Sequence, residues 1–366
     1  MPGEFRRAAA RKGMNSPEFQ LMVECCRGAF SHSHLAVARA LGAKVDWQRF
    51  LRLVRFHRVQ ALAWNWLSAV QSAVPADVAA ALAGDAMEIV AANLRLTAEA
   101  RRLKTAFEGA AIDILFLKGL TVGQLAYANP QLKMAWDTDI LVGPDQLMAA
   151  ARVLEDCGYA QKVPVAPSKL QSWHRKCKDS LWQSGRLHVE LHTRLTENKA
   201  LLPTLNVHSP SREISIAPGV ALPTFAEEEL FAYLCVHGSS SLWFRFKWIT
   251  DLAAILHQYD GARVRHLYHR SKALGAGRAS GSALLLADEF YGVLGDPSLR
   301  SEIERDPGNV WLFRAASRQL AGRDEPVEPT SRLFGTTAIH YAQLMIQPGA
   351  AFKFAEFVRQ LRSVVR

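Results

Sequence analysis

Two aspartates, Asp137 and Asp139, stand one residue apart in the stretch Trp136-Asp137-Thr138-Asp139-Ile140-Leu141-Val142. The apolar run that follows Asp139 reads as a buried strand closed by Gly143-Pro144. Side chains at i and i+2 entering a strand leave the chain on one face, so the two carboxylates point the same way. Two like charges held side by side repel unless a cation lies between them. Hard divalent ions such as Mg²⁺ take oxygen ligands. The spacing therefore points to a metal platform, with a solvated turn as its plain alternative.

Two other segments bear on that choice. Phe116-Leu117-Lys118-Gly119 reads as a strand end and a turn leading into a helix. Glycine lets the backbone approach an anion closely, and the free N–H groups of a helix N-terminus receive phosphate. Lys118 adds a positive charge there. Further on, His188-Val189-Glu190-Leu191-His192 alternates polar and apolar residues, so Glu190 can present a third carboxylate from a neighbouring strand. The same alternation puts His188, Glu190 and His192 on one face, where they could instead bind a transition metal or line a polar crevice. Arg194 shares that face and has two readings, a contact to a triphosphate or a solvated strand end. A strand-turn-helix, a paired aspartate and a separate acidic strand together describe two-metal nucleotidyl transfer.

The elements that must hold these residues follow from periodicity. Helical spacing runs from Pro17 to Glu108, as in Trp47, Phe50, Leu51 and Val54 behind an Asp46 N-cap. The last helix of this stretch is expected over Asp85 to Glu108, capped by Asp85 after Gly84. The pattern then changes to a strand at Ile112 to Leu117, a helix at Thr121 to Tyr127 broken by Asn129-Pro130, and a helix from Asp145 to Cys157. Strands are expected at Tyr159 to Val165, Lys178 to Gln183 and Leu187 to Leu191, the last two a hairpin around Ser184-Gly185. From Pro223 the chain returns to helix, with Thr224 and Glu227 as a capping box. The expected fold class is α/β (α+β), a small mixed sheet flanked by helical lobes. Its parts are a disordered basic arm at 1–19, an N-terminal helical lobe at 20–108, a nucleotidyltransferase core at 109–222 and a C-terminal helical domain at 223–366.

Composition narrows the class without choosing the chemistry. With 49% hydrophobic and 21% charged residues among 366, the chain is neither disordered nor a fibrous repeat. No uncharged apolar run is long enough to span a bilayer. The basic start, with Arg6, Arg7, Arg11 and Lys12, lacks the apolar block of a secretory signal, so a cytoplasmic location is expected. The balance of 44 Lys+Arg against 34 Asp+Glu gives +10, which favours anionic partners such as nucleotides or nucleic acid. Five scattered cysteines form no CxxC pair. His57 and His237 lie on apolar helical faces, where a hydrogen-bonded core histidine is the ordinary case.

The ordered set FLKG (116–119), MAWDTDILV (134–142) and HVELHTRL (188–195) resembles the bacterial family described as uncharacterised nucleotidyltransferase, within the polymerase-β-like superfamily. WQRFLRLVRFHRV (47–59) upstream and VHGSSSLWFRFKWITDLAAIL (236–256) downstream extend the likeness over about Leu21 to Tyr259. The resemblance implies a small mixed sheet flanked by helices and Mg²⁺-dependent (or Mn²⁺-dependent) transfer from an NTP, with ATP expected. It implies Asp137, Asp139 and Glu190 as catalytic metal ligands, and Lys118 and Gly119 in the nucleotide-phosphate turn. The chain departs from the family pattern at Trp136, Lys133 and Thr193, where Gly, Arg and Trp are usual. No departure removes a carboxylate. The acceptor is not legible in the sequence, and the expectation is an unidentified hydroxyl of a small molecule, peptide or protein. RNA modification of the tRNA-directed toxin type, kinase-like transfer of the γ-phosphoryl group, and a catalytically silent nucleotide-binding protein remain as alternatives.

Overall fold

The computed structural model describes residues 16–31, 44–321, 328 and 335–364. Arg6, Arg7, Arg11 and Lys12 lie outside the described residues. The described chain divides into two compact units, one made of residues 1–87 with 234–366 and the other of residues 88–233. No helix among the described residues is long and apolar enough to cross a membrane.

The first unit is helical. It opens with α1 (Pro17–Ser31), α2 (Trp47–His57) and α3 (Gln60–Leu67), so helix begins within the span assigned to the basic arm. The expected stripe on α2 is buried at Phe50, Leu51 and Val54. Asp46 caps it as expected, its Oδ1 accepting the N–H of Arg49 at 2.9 Å. A long helix α4 (Ala76–Gly109) follows, its residues from Glu88 onward belonging to the second unit, and its length corrects the expected start at Asp85. Gly84 sits inside it in open space, and an interior glycine costs only about 1 kcal/mol relative to alanine, too little to stop a helix of 34 residues. Asp85 pairs instead with Arg55 Nε at 2.7 Å.

The second unit carries the sheet. Its elements are β1 (Ile114–Phe116), α5 (Leu120–Tyr127), β2 (Thr138–Val142), α6 (Leu147–Asp156), β3 (Ala160–Gln161), α7 (Pro167–Lys176), β4 (Asp179–Ser184), β5 (Leu187–His192), β6 (Ser211–Ala217) and β7 (Val220–Phe225). Five strands form one mixed sheet in the order β1-β2-β5-β4-β3, and β6 and β7 pair separately. Only β2 and β5 run parallel. One sheet face is apolar: Ile114, Phe116, Ile140, Val142, Trp182, Val189 and Leu191 pack with Leu103, Phe107 and Leu154 from helices. Alternation along the strands then places Asp139, Glu190 and His192 on the opposite face.

Two expectations are corrected here. The strand expected at Tyr159 to Val165 shrinks to two residues and is followed by the helix α7, entered through Pro167. Thr224 and Glu227 do not form a capping box, because Thr224 is still in β7, paired with Arg212, and its buried Oγ1 has no hydrogen-bond partner. The next helix, α8 (Glu227–Ser240), starts after that strand ends. Helices α9 (Phe246–Leu256), α10 (Gly261–Ala273), α11 (Arg278–Tyr291), α12 (Pro297–Glu304), α13 (Pro307–Ala321), α14 (Thr337–Met345) and α15 (Ala350–Val364) complete the first unit. Its aromatic core includes Phe19, Phe246 and Phe290, with Phe246 edge-on to both partners at 5.6 and 5.1 Å.

Candidate active site

The site is built where β2 and β5 run side by side. Their parallel register sets Asp139 directly opposite Glu190, so two carboxylates that are 51 positions apart in sequence become neighbours on one sheet face. Asp137 lies just ahead of β2, with 32% of its side chain exposed, whereas the Asp139 side chain is fully buried. The mouth of the site and its floor are thus occupied by the two members of one aspartate pair.

Lys118 comes from the turn after β1. The N–H of Leu117 donates to the carbonyl of Asp139 at 3.1 Å, which ties that turn to β2. Gly119 follows with φ of +75° and opens α5, and an added Cβ would find only ordinary contacts at 3.8 Å. The conformation, and not crowding, therefore calls for glycine. From this turn Lys118 Nζ reaches Asp139 Oδ2 at 2.7 Å and Asp137 Oδ1 at 3.8 Å. An ammonium thus stands between the two carboxylates.

Electrostatics follow from these contacts. Burial alone would lower the pKa of Lys118, but the charges of Asp139 and then Asp137 outweigh it and hold the ammonium well above its ordinary value. Burial would raise Asp139, yet Lys118 and the hydrogen bond from His192 keep it well below the usual carboxylate range. Glu190 goes the other way, raised by burial against the opposing hydrogen bond from His192.

Three residues join the site beside the carboxylates: His192, read above as an alternative transition-metal ligand next to Glu190, and Asp179 and Lys178, which the sequence did not single out. His192 is 1% exposed, and its Nε2 lies 3.2 Å from Asp139 Oδ1 and 3.3 Å from Glu190 Oε2. Asp179, opposite His192 in the β4–β5 ladder, has Oδ2 at 3.8 Å from His192 Nδ1. Lys178 pairs with Asp179 and approaches Glu190 Oε2 at 4.0 Å. The β5 alternation grouped His192 with Glu190 and His188, but the polar group brought together is Asp139, Glu190 and His192. Only the strand register could have shown this.

A fourth residue positions the approach to Asp137. Asn93 of α4 is fully buried and donates Nδ2 to the carbonyls of Pro130 at 3.0 Å and Lys133 at 2.8 Å. A short 3₁₀ turn at Pro130–Leu132, capped by Asn129, precedes this segment. Arg194 lies beyond β5, where its Nε donates to the carbonyl of Thr196 at 3.1 Å and its Nη1 to that of His174 at 2.5 Å, with Glu197 at 3.7 Å. Trp136 is 57% exposed beside Asp137.

The donors suit a divalent cation. Asp139, Glu190 and His192 each offer one ligand atom, and these atoms lie within 4.8 Å of one another. Carboxylate oxygens with an imidazole nitrogen are donors that hard and borderline divalent ions accept. The pattern of the family described as "Uncharacterised nucleotidyltransferase" matches residues 43–292. No curated protein matches the chain. With the mixed sheet, the flanking helices and a family match over most of its length, the chain belongs to that nucleotidyltransferase family and is an enzyme that transfers phosphorus-containing groups.

Proposed function

We propose that this enzyme moves an NMP from an NTP, with ATP as the expected donor, to a hydroxyl of a small-molecule, peptide or protein acceptor in the cytoplasm. Asp137, Asp139 and Glu190 would hold Mg²⁺ or Mn²⁺. The observation that carries this reading is the direct register of Asp139 with Glu190, with Asp137 at the rim and Lys118 between the aspartates. Held by these residues, a divalent ion would supply neutralisation of the charge that develops during an in-line displacement.

The chain's own residues supply the rest. Lys118, on a turn that opens a helix, faces incoming phosphate with a fixed positive charge. Glu190, placed directly opposite Asp139 on the same sheet face, would also be the carboxylate to accept the proton of the acceptor hydroxyl. Arg194 binds loop carbonyls, so the phosphate role is assigned to Lys118 and Gly119.

The test is to incubate the whole chain with α-labelled and γ-labelled NTPs, Mg²⁺ or Mn²⁺, and fractionated lysate. Retention of α-label in a small-molecule or protein fraction, with pyrophosphate released, is the expected result. Transfer of γ-label alone would instead make the enzyme a kinase. The net charge of +10 favours one second reading, an RNA acceptor. That reading requires α-label in RNA and an affinity that falls log-linearly with salt, by about a hundredfold or more between roughly 50 and 200 mM.

A further inference from the structure

His192 has no part in a purely carboxylate site, yet it sits at the centre of this one. Its Nε2 is 3.2 Å from Asp139 Oδ1 and 3.3 Å from Glu190 Oε2. Around a divalent ion with ligands at about 2.1 to 2.2 Å, neighbouring donors at right angles stand about 3 Å apart. Both distances match that spacing. Lys118 takes the other oxygen of Asp139, Oδ2, at 2.7 Å, which leaves Oδ1 turned toward the imidazole. On the far side of the ring, Nδ1 is buried without a hydrogen-bond partner and faces Asp179 Oδ2 at 3.8 Å. Asp179 is itself held by Lys178. At 3.8 Å this carboxylate stands beyond hydrogen-bond distance, and a small shift of Asp179 toward the ring would complete the carboxylate–histidine pairing that orients a histidine ligand toward an ion.

We infer that His192 Nε2 is a ligand of the ion bound by Asp139 and Glu190, and that this nitrogen makes the site select Mn²⁺ over Mg²⁺. Imidazole nitrogen suits transition ions, whereas an all-oxygen set suits Mg²⁺ equally well. The inference rests on the reading of Asp139 and Glu190 as metal ligands and is independent of which group the enzyme transfers. The competing arrangement has no nitrogen ligand: Nε2–H donates to both carboxylates and merely positions them.

The experiment uses the whole chain with Mn²⁺ alone, without nucleotide. Pulsed electron paramagnetic resonance is expected to show ¹⁴N modulation from a directly bound imidazole, which changes to the ¹⁵N pattern in protein labelled with ¹⁵N-histidine. Calorimetric titration is expected to give Mn²⁺ an affinity about tenfold or more above Mg²⁺. His192→Ala should remove the modulation and narrow that preference to within about threefold, while His188→Ala keeps both. If His192→Ala does not fold, the labelled wild type and His188→Ala decide the matter. Bound Mn²⁺ without nitrogen modulation, or equal affinities for the two ions in the wild type, would overturn the inference. Failure of any ion to bind would overturn it together with the ligand assignment. Nitrogen-ligated Mn²⁺ in a protein that transfers no nucleotide would overturn only the proposed reaction.

Discussion

Lys118 Nζ stands 2.7 Å from Oδ2 of Asp139 and 3.8 Å from Oδ1 of Asp137, so one lysine ammonium bridges the aspartate pair. The relationship explains how Asp139 can be charged while its side chain is fully buried, since a buried carboxylate without a partner would be driven to protonate. It also changes what a lysine in a phosphate turn does. Lys118 is part of the folded structure as well as the residue proposed above to meet the nucleotide phosphates.

Lys118→Ala should therefore lower stability as well as nucleotide affinity. Removing this partner leaves Asp139 with His192 and Glu190, and a lost hydrogen bond to a charged group costs about 1.5 to 3 kcal/mol. With a fifth of the Lys118 side chain exposed, the lower end of that range is expected by urea denaturation. Unchanged stability together with unchanged ATP affinity by calorimetry would remove Lys118 from the site.

Asp137→Asn and Asp139→Asn should differ in their effect on folding while both reduce turnover by about a hundredfold or more. Asp137 is partly exposed, so its amide variant should keep the wild-type melting temperature within a few degrees. Asp139→Asn leaves the buried Lys118 and His192 contacts without their carboxylate charge and should melt lower. Turnover within about tenfold of wild type in both variants would sink the site assignment.

Asn93 supplies a prediction away from the chemistry. Asn93→Leu removes the buried donor to the carbonyls of Pro130 and Lys133, at a cost of about 1 to 3 kcal/mol. Amide exchange at residues 132–137 should accelerate more than exchange in β5. Equal acceleration throughout the sheet would show a global loss of stability and not a loosened approach to Asp137.

Acid sensitivity should come partly from His57 in the helical unit. Its Nδ1 accepts the N–H of Phe246 at 3.1 Å, and burial, then the charge of Arg245, push its pKa down to about 3. The unfolded histidine titrates near about 6.5, so the stability from the neutral ring is fully present above that pH. It is lost as pH falls from there toward about 3, with a slope of at most ~1.4 kcal/mol per pH unit. His57→Gln, which cannot charge, should show a shallower loss over pH 4 to 6.5 than the wild type. Parallel curves would rule out this histidine as a source of the slope.

How much of this could be read from the chain depends on which forces act locally. The β1 and β2 strands, the Asp46 cap and the Ser184-Gly185 hairpin are fixed by near neighbours, and all of them stand close to where periodicity put them. The aspartate pair was legible for the same reason. The continuity of α4 through Gly84 was not, because a weak local penalty yields to a long packed helix. Thr224 looked like a cap until pairing with Arg212 drew it into β7. His192 and Asp179 acquire their meaning only from the registers of β5 with β2 and β4, and no spacing within one strand encodes a register between two.

The sheet order sets a timetable for assembly. Lys118 and Asp139 are joined through β1 and β2, adjacent antiparallel strands, whereas the parallel partner that brings Glu190 and His192 is more than fifty positions from Asp137 in sequence. Closing the longer loop demands more chain entropy and comes later in folding. The Lys118–Asp139 pair is therefore expected to form before Glu190 and His192 join it. Pulse-labelled amides in refolding should become protected at Leu117 before those of β5.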